Sequence, residues 1–137
     1  MKKGSWRFLF LIYSVLMLWL LFGRTGYDPS VPYFDQLKYN IVPLETIKLY
    51  WHIIPRSTAI INLGGNVIMF IPLGFFLPRA FPKLKKFFKC FFTAMLIITL
   101  VELAQFFTIL GSCDIDDLIL NMVGVTMGFI LHKLLPK

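Results

Sequence analysis

Four long apolar stretches divide the sequence, and polar or charged residues separate them. A helix that crosses the hydrocarbon core of a bilayer needs about 20 mostly apolar residues, within a range of about 17–25. Three stretches meet this length, at about residues 58–78, 88–110 and 117–135, and a first one, at about residues 7–22, is slightly short but extends to Trp6. The pattern predicts an all-α integral membrane protein with four transmembrane helices, which form a single domain over residues 1–137.

The connection between the first two stretches contains a shorter amphipathic segment. In IVPLETIKLYWHIIP, residues 41–55, apolar residues recur near helical spacing, and Glu45 and Lys48 lie between them. Tyr50 and Trp51 suit the headgroup region of a membrane, where aromatic rings are enriched. We expect a short helix at the outer membrane interface. An ordinary packed loop is the alternative.

The composition supports a membrane protein. Hydrophobic residues make up 58% of the chain and charged residues 15%, whereas about a quarter of the residues in a soluble domain are charged. The net charge of +7 does not indicate nucleic-acid binding, because such proteins concentrate basic residues on the exposed face of a soluble core. Here the basic residues stand between apolar stretches, where they contact lipid headgroups and set topology. We expect membrane lipids, and no nucleic acid, as partners.

The distribution of basic residues predicts the orientation of the chain in the bacterial cell membrane. Cytoplasmic flanks carry an excess of Lys and Arg, and the turn between the third and fourth stretches has three aspartates and no basic residue. Both termini are therefore expected in the cytoplasm, with the aspartate turn outside. The basic flanks comprise Lys2, Lys3 and Arg7, then Arg79, Lys83, Lys85, Lys86 and Lys89, and finally Lys133 and Lys137.

The two cysteines lie near opposite ends of the third stretch. At a helical rise of about 1.5 Å per residue, Cys90 and Cys113 are about 35 Å apart. Because a disulfide cannot span that distance, both are expected to be free thiols.

Polar side chains occur inside three of the apolar stretches, each time in the half nearest the outer surface. Such residues are costly in lipid, so they normally face a bundle interior or a wet cavity. We therefore expect a polar pocket that opens near the outer surface, with Glu102 within reach of Asn66 or Asn121. The alternative is that Glu102 only hydrogen-bonds an amide and fixes helix packing. The pocket candidates are Asn62, Asn66, Glu102, Gln105, Asp114, Asp117 and Asn121.

Small residues continue the polar face of the fourth stretch. Asp117, Asn121, Gly124 and Gly128 follow spacings of four, three and four, so they share one side of a helix. The two glycines form a G-x-x-x-G pair, which lets another helix approach closely. In the second stretch, Pro72 removes a backbone donor and predicts a kink. Gly74, two residues later, adds pliability.

The segment GSCDIDDLILN, residues 111–121, places three aspartates directly before the fourth stretch. Asp114 can cap that helix, and Asp116 and Asp117 favour its positive end. Capping explains one or two of them, and a ligand-binding pocket is the alternative for the set. Asp117 lies on the polar stripe and is predicted to be the most sensitive to substitution. Asp116 is rotated from that stripe by about 100° and is predicted to be the most tolerant.

Three separated motifs make the chain resemble the VanZ-like family of bacterial membrane proteins. They are NLGGNVIMFIPLGFFLP, then VELAQFF after a basic loop, then DIDDLILNMVGVTMG, and YNIVPLETI resembles the family's outer connection. The resemblance implies a role in resistance to teicoplanin and related glycopeptides, which act outside the cell on lipid-linked wall precursors. It supplies no reaction. The family pattern matches Asn62, Asn66, Phe70, Pro72, Gly74, Glu102, Gln105, Asp114, Asp117, Asn121, Gly124 and Gly128.

One departure from the family concerns Asp114. Many members carry an arginine a few residues before the aspartates, where this chain has Gly111 or Ser112. If that arginine normally pairs with Asp114, the carboxylate needs another partner here. We expect Arg56 or water to fill this role.

Three functions remain open from the sequence. In the first, a non-enzymatic envelope protein binds a lipid-linked wall precursor or a surface polymer in its outer pocket and lowers the access of a glycopeptide. In the second, a membrane enzyme acts on a phosphate- or sugar-bearing lipid, and Glu102, Asp114 and Asp117 hold a divalent cation or act as acid and base. In the third, a helper subunit docks on another membrane protein through Gly124 and Gly128. We favour the first, with no cofactor, because the stretches contain no Ser–base pair or arginine cluster from which catalytic residues could be assigned.

Overall fold

The structure is a computed structural model, which describes residues 3–23, 30, 32–36 and 38–135. The basic residues Lys2 and Lys137 of the predicted flanks lie outside this part of the chain. The elements are, in chain order, α1 (Lys3–Phe22), a 3-10 helix (Tyr33–Gln36), β1 (Tyr39–Asn40), α2 (Glu45–His52), α3 (Arg56–Ala80), a second 3-10 helix (Pro82–Leu84), α4 (Phe87–Phe107), β2 (Cys113–Asp114) and α5 (Ile115–Leu134).

The four long helices, α1, α3, α4 and α5, are long and apolar enough to cross a membrane, by length and composition. Each directs large apolar side chains outward, as expected of helices that face lipid. Phe8, Ile68, Leu96 and Ile130, one from each helix, are all at least 50% exposed. The predicted four-helix architecture is confirmed, and α2 is the predicted short helix between the first two spans.

The end of α4 differs from the sequence prediction, which continued the third stretch to residue 110. The helix ends at Phe107, and Ile109 takes a left-handed backbone with φ 57°. The N–H of Leu110 then bonds back to the carbonyl of Gln105 at 2.9 Å. Apolar residues continue through this turn, so hydropathy alone did not reveal it.

Glycines allow α3 and α5 to pack against each other backbone to backbone. A Cβ atom at Gly124 would overlap the carbonyl oxygen of Val67, and one at Gly128 would overlap that of Ile71. From the other side, a Cβ at Gly74 would overlap the carbonyl oxygen of a residue in α5. Because residue numbers rise together along this contact, the two helices run parallel. The close approach predicted for the G-x-x-x-G pair is therefore made within the chain.

This contact between α3 and α5 corrects the hypothesis that a helper subunit docks on a partner through Gly124 and Gly128. The Gly124 and Gly128 stripe is covered by α3, so it is not available for docking a partner.

Pro72 lies inside α3, which is a continuous helix of 25 residues. Tyr13 of α1 donates to the carbonyl of Met69, at 2.9 Å, and so joins the first span to this pair.

A short parallel strand pair joins the two connections at one end of the bundle. Tyr39 pairs with Cys113, and Asn40 pairs with Asp114. The sequence did not predict this pairing, because strands of two residues carry no alternating pattern. Its consequence is that the segment preceding α2 lies against the aspartate turn preceding α5.

The opposite end of the bundle is basic. The Arg79 guanidinium lies over the rings of Trp6 and Phe75, 4.6 and 4.4 Å from the ring centroids, and donates to the carbonyl of Leu135 at 3.1 Å. The exposed lysines of the α3–α4 connection stand at this same end. The bundle therefore has a basic end and an aspartate end.

Candidate functional site

Side chains from α3, α4 and α5 meet in a partly open cavity of about 190 Å³ near the aspartate end. Glu102 is about 7.5 Å of helical rise from the end of α4, and Asp117 is about 3 Å from the start of α5. Five of the seven predicted pocket residues line this cavity. Its polar lining consists of Asn66, Glu102, Gln105, Ser112, Asp117 and Asn121.

Hydrogen bonds connect the polar lining across the helices. The side-chain amide of Asn66 on α3 donates to Oδ1 of Asp117 on α5. The amide of Asn121 on α5 donates to Oε1 of Glu102 on α4, at 3.3 Å, which confirms that Glu102 has an amide partner. Gln105 donates to the carbonyl of Leu21, at 2.9 Å. All four long helices therefore contribute to the walls of the cavity.

Asn121 has unfilled hydrogen-bonding capacity. Its side chain is only 5% exposed, and its Oδ1 has no hydrogen-bond partner among the residues that the structure describes. Leaving a buried acceptor unsatisfied costs about 1–3 kcal/mol, so native proteins normally supply a donor. Because Asn121 lines the cavity, a group bound in the cavity is a candidate for that donor.

The cavity holds two carboxylates and no basic side chain within the described part of the chain. Glu102 is 7% exposed, and it lines the same cavity as Asp117. Like charges embedded at membrane depth are unfavourable unless they are paired. Glu102 and Asp117 are thus the side chains that could hold a cation here. In the described residues, no group of three or more His, Cys, Asp or Glu side chains is placed to hold a metal ion.

Asp114 lies outside the cavity and has structural partners. It caps α5 by accepting from the N–H of Asp116 at 2.8 Å, as predicted. It also accepts from Asn40 Nδ2 at 3.1 Å and from Thr46 Oγ1 at 2.6 Å. These two residues, rather than Arg56, partner the Asp114 carboxylate in this chain. Sequence reasoning missed them, and the available signal was the family resemblance of YNIVPLETI, which contains both.

Asp116 departs most from the sequence prediction. It is fully buried, at 0% exposure, and accepts from the backbone N–H groups of Leu44 and of Ile47, the latter at 3.1 Å. These amides begin α2, where Leu44 has a left-handed backbone with φ 67° and no side-chain cap of its own. Asp116 therefore caps α2 from a distant part of the chain. Asp116 lies off the polar stripe, as predicted, but its burial and these hydrogen bonds remove the reason for expecting it to be the most tolerant aspartate.

Asn62 does not join the cavity, although it stands four residues before Asn66. It is exposed and donates to the carbonyl of Thr58 on its own helix, at 2.9 Å. Asn66 already contacts Asp117, the third residue of α5. One turn earlier in the parallel helix, Asn62 lies beyond the start of α5.

Comparison with known proteins agrees with the family resemblance. The model of the VanZ/LLP1 family matches residues 10–136 of the chain. The chain is similar to Protein VanZ of Enterococcus faecium, with 31% identity over 138 positions that cover 100% of this chain and 79% of that protein. No solved structure matches the chain. The family match contains every residue of the cavity.

Proposed function

Because the chain belongs to the VanZ/LLP1 family and has four helices able to cross a membrane, it is a multi-pass membrane protein, and we propose that it acts at the outer surface of the bacterial cell membrane. There its cavity binds a lipid-linked wall precursor or a surface polymer. This binding lowers the access of teicoplanin-type glycopeptides to the wall precursors. Its alternative role is in the homeostasis of the cell envelope. The observation that carries the proposal is the cavity, which is lined by two carboxylates and by Asn121, a buried amide whose oxygen has no partner among the described residues.

The charge distribution supports an outward-facing cavity. Arg7, Arg79 and Lys133 stand with the lysines of the α3–α4 connection at the end opposite the cavity. Because cytoplasmic flanks of membrane helices carry the excess of Lys and Arg, both termini lie in the cytoplasm under this proposal. The cavity then opens on the side where glycopeptides act.

The position of α2 supports a ligand that is held in or near the lipid. Leu49, Trp51 and Ile53 are each at least 45% exposed, and such side chains suit the interfacial region of a bilayer. Asp116 ties the start of α2 to the start of α5. A surface suited to lipid contact is thus joined directly to the helix that carries Asp117 and Asn121.

Labelling with a membrane-impermeant maleimide tests the orientation. Cysteines introduced at Ser57 and at Lys85 suit this test, because both native side chains are exposed and lie at opposite ends of the bundle. In intact cells, Ser57→Cys should react, and Lys85→Cys should react only after permeabilisation. The reverse pattern would place the cavity in the cytoplasm and remove it from any glycopeptide.

The native cysteines determine the background for that labelling. Both are free, as predicted, and Cys90 is fully buried. Burial, with smaller contributions from the Glu102 and Asp114 carboxylates, raises the pKa of Cys113. A raised thiol pKa leaves less of the reactive thiolate at neutral pH, so Cys113 should label slowly and faster as the pH rises. Cys113→Ser removes this contribution.

Expression of the chain in a teicoplanin-susceptible Gram-positive host tests the function. The wild-type chain should raise the minimum inhibitory concentration of teicoplanin, and Glu102→Gln should lose most of that increase at unchanged membrane abundance. Glutamine keeps the size of the side chain but removes a charge, and a hydrogen bond to a charged group contributes about 1.5–3 kcal/mol.

The matched control for this experiment is Glu45→Gln, which removes an exposed carboxylate outside the cavity. It should retain the wild-type increase. Full activity of Glu102→Gln would reject the cavity as the functional site. A wild-type chain that changes neither teicoplanin susceptibility nor the binding of labelled teicoplanin to cells would reject the resistance role.

A further inference from the structure

Hydrogen-bond acceptors remain in the cavity after its internal bonds are counted. Asn66 donates to one oxygen of Asp117, and Asn121 donates to one oxygen of Glu102. Each carboxylate keeps a second oxygen, and a carboxylate accepts up to about four hydrogen bonds. The backbone N–H of Asp114 also interacts with Glu102, which still leaves acceptor capacity. Oδ1 of Asn121 is a third acceptor, buried and without a partner in the described part of the chain.

The three acceptors define the chemistry of a matching group. Two of them belong to carboxyl groups that line the same cavity, and no Lys or Arg among the described residues lines it. A hydroxyl group offers one donor and no charge, whereas a primary ammonium offers three N–H donors and one positive charge. The ammonium therefore matches both the number of acceptors and the sign of the charge.

We propose that the group bound in the cavity is a primary ammonium, carried by a lipid headgroup or by another amine-bearing surface molecule. This inference rests on the proposed ligand-binding function and gives its ligand a chemical class. The cavity volume of about 190 Å³ exceeds the roughly 30 Å³ that one water occupies. The cavity thus admits the ammonium and the few heavy atoms next to it, while the remainder of the ligand stays outside.

Binding of ethanolamine to the purified full-length protein tests the proposal. The protein is held in phosphatidylcholine nanodiscs, whose headgroups carry no N–H donor, and binding is followed by calorimetry at constant ionic strength. Ethanolamine should bind the wild type, and Glu102→Gln and Asp117→Asn should each weaken its binding by at least about tenfold, because each removes a charge-assisted hydrogen bond. Glu45→Gln should bind ethanolamine as the wild type does. Circular dichroism of each variant confirms that it is folded.

Related probes test the charge and the donors separately. Ethylene glycol is similar in size but uncharged, and choline is charged but has no N–H group. Both should bind at least about tenfold more weakly than ethanolamine. Equal binding of ethylene glycol would overturn the requirement for charge, and equal binding of choline would overturn the requirement for three donors. Complete displacement of ethanolamine by Na⁺ or Ca²⁺ would assign the site to an inorganic cation instead.

Two further arms identify the source of the positive charge. If nanodiscs that contain phosphatidylethanolamine suppress ethanolamine binding, the natural ammonium belongs to a lipid; unaltered binding points to a surface molecule outside the bilayer. Arg24 lies outside the described residues, so Arg24→Gln is measured as well. Tighter ethanolamine binding by that variant would show that the chain supplies its own cation, which would overturn the proposal.

Two outcomes distinguish a wrong ligand from a wrong functional site. If Glu102→Gln abolishes the effect on teicoplanin susceptibility while ethanolamine does not bind, the cavity is functional and its ligand is not an ammonium. If Glu102→Gln keeps that effect in full, the cavity is not the functional site. Ethanolamine binding would then reveal an ammonium site that has no part in teicoplanin susceptibility.

Discussion

Replacing Gly128 by alanine should destabilise the folded bundle severely, although it adds one methyl group. The new Cβ would overlap the carbonyl oxygen of Ile71 and would lie 2.9 Å from its carbonyl carbon. Both atoms belong to the α3 backbone, which cannot rotate away as a side chain can, so α3 and α5 must separate along their whole contact. Overpacking of a well-packed core typically costs about 1–3 kcal/mol and occasionally more. Thermal unfolding of the detergent-solubilised protein measures the loss.

The chain contains its own controls for this substitution. Gly64 and Gly65 lie in α3 as well, and a Cβ at either position would meet nothing within 4 Å. Because alanine is favoured over glycine inside a helix by about 1 kcal/mol, Gly64→Ala and Gly65→Ala should leave the unfolding temperature unchanged or raise it. A wild-type unfolding temperature for Gly128→Ala would show that α3 and α5 do not pack at this distance.

Asp116→Asn should lower the amount of folded protein in the membrane, even though the two side chains have the same shape. Both oxygens of Asp116 accept backbone N–H groups at the start of α2. Asparagine keeps one acceptor and turns an NH₂ group toward the other amide. An unsatisfied buried donor costs about 1–3 kcal/mol, and the left-handed backbone of Leu44 loses part of what holds it in place.

Glu45→Gln is the matched control for Asp116→Asn, because it also removes a negative charge near the start of α2. Glu45 is exposed, and losing a charge from the first turn of a helix costs typically about 0.3–1 kcal/mol. Membrane abundance and the rate of proteolysis within α2 should change much less than in Asp116→Asn. Equal effects of the two substitutions would mean that charge, rather than capping of the two amides, is what Asp116 supplies.

Local patterns predicted most of the fold and much of the cavity. Span length and hydropathy predicted the four long helices, and helical spacing combined with topology brought Asn66, Glu102 and Asp117 to one depth. These inferences succeeded because each depends on one helix at a time and on the alternating direction of the spans. The same reasoning predicted Asn62 as a pocket residue, since it did not include how far α3 extends beyond α5.

The contacts that the sequence did not predict join residues far apart in the chain. Asn40 and Asp114 are 74 positions apart, and Leu44 and Asp116 are 72 apart. Asp116 points away from the stripe that faces the cavity, so its own helix gave no reason to bury it. Its burial depends on α2 folding over the aspartate turn, which no period in the sequence encodes. The three aspartates therefore have different surroundings: Asp114 caps α5, Asp117 lines the cavity and Asp116 caps α2. The first two followed from local sequence, and the third did not.

The most direct test of the cavity as the functional site is the increase in teicoplanin tolerance per folded molecule, measured for Asp117→Asn and for Asp116→Asn in the same host. The amide oxygen introduced by Asp117→Asn can still accept the hydrogen bond from Asn66, so this variant should fold to near wild-type abundance. It should nevertheless lose most of its protection per molecule, because the charge facing the ligand is gone. Asp116→Asn should lose protection only in proportion to its abundance. Full protection per molecule by Asp117→Asn, or a loss that merely follows its abundance, would contradict a ligand-binding role for the cavity.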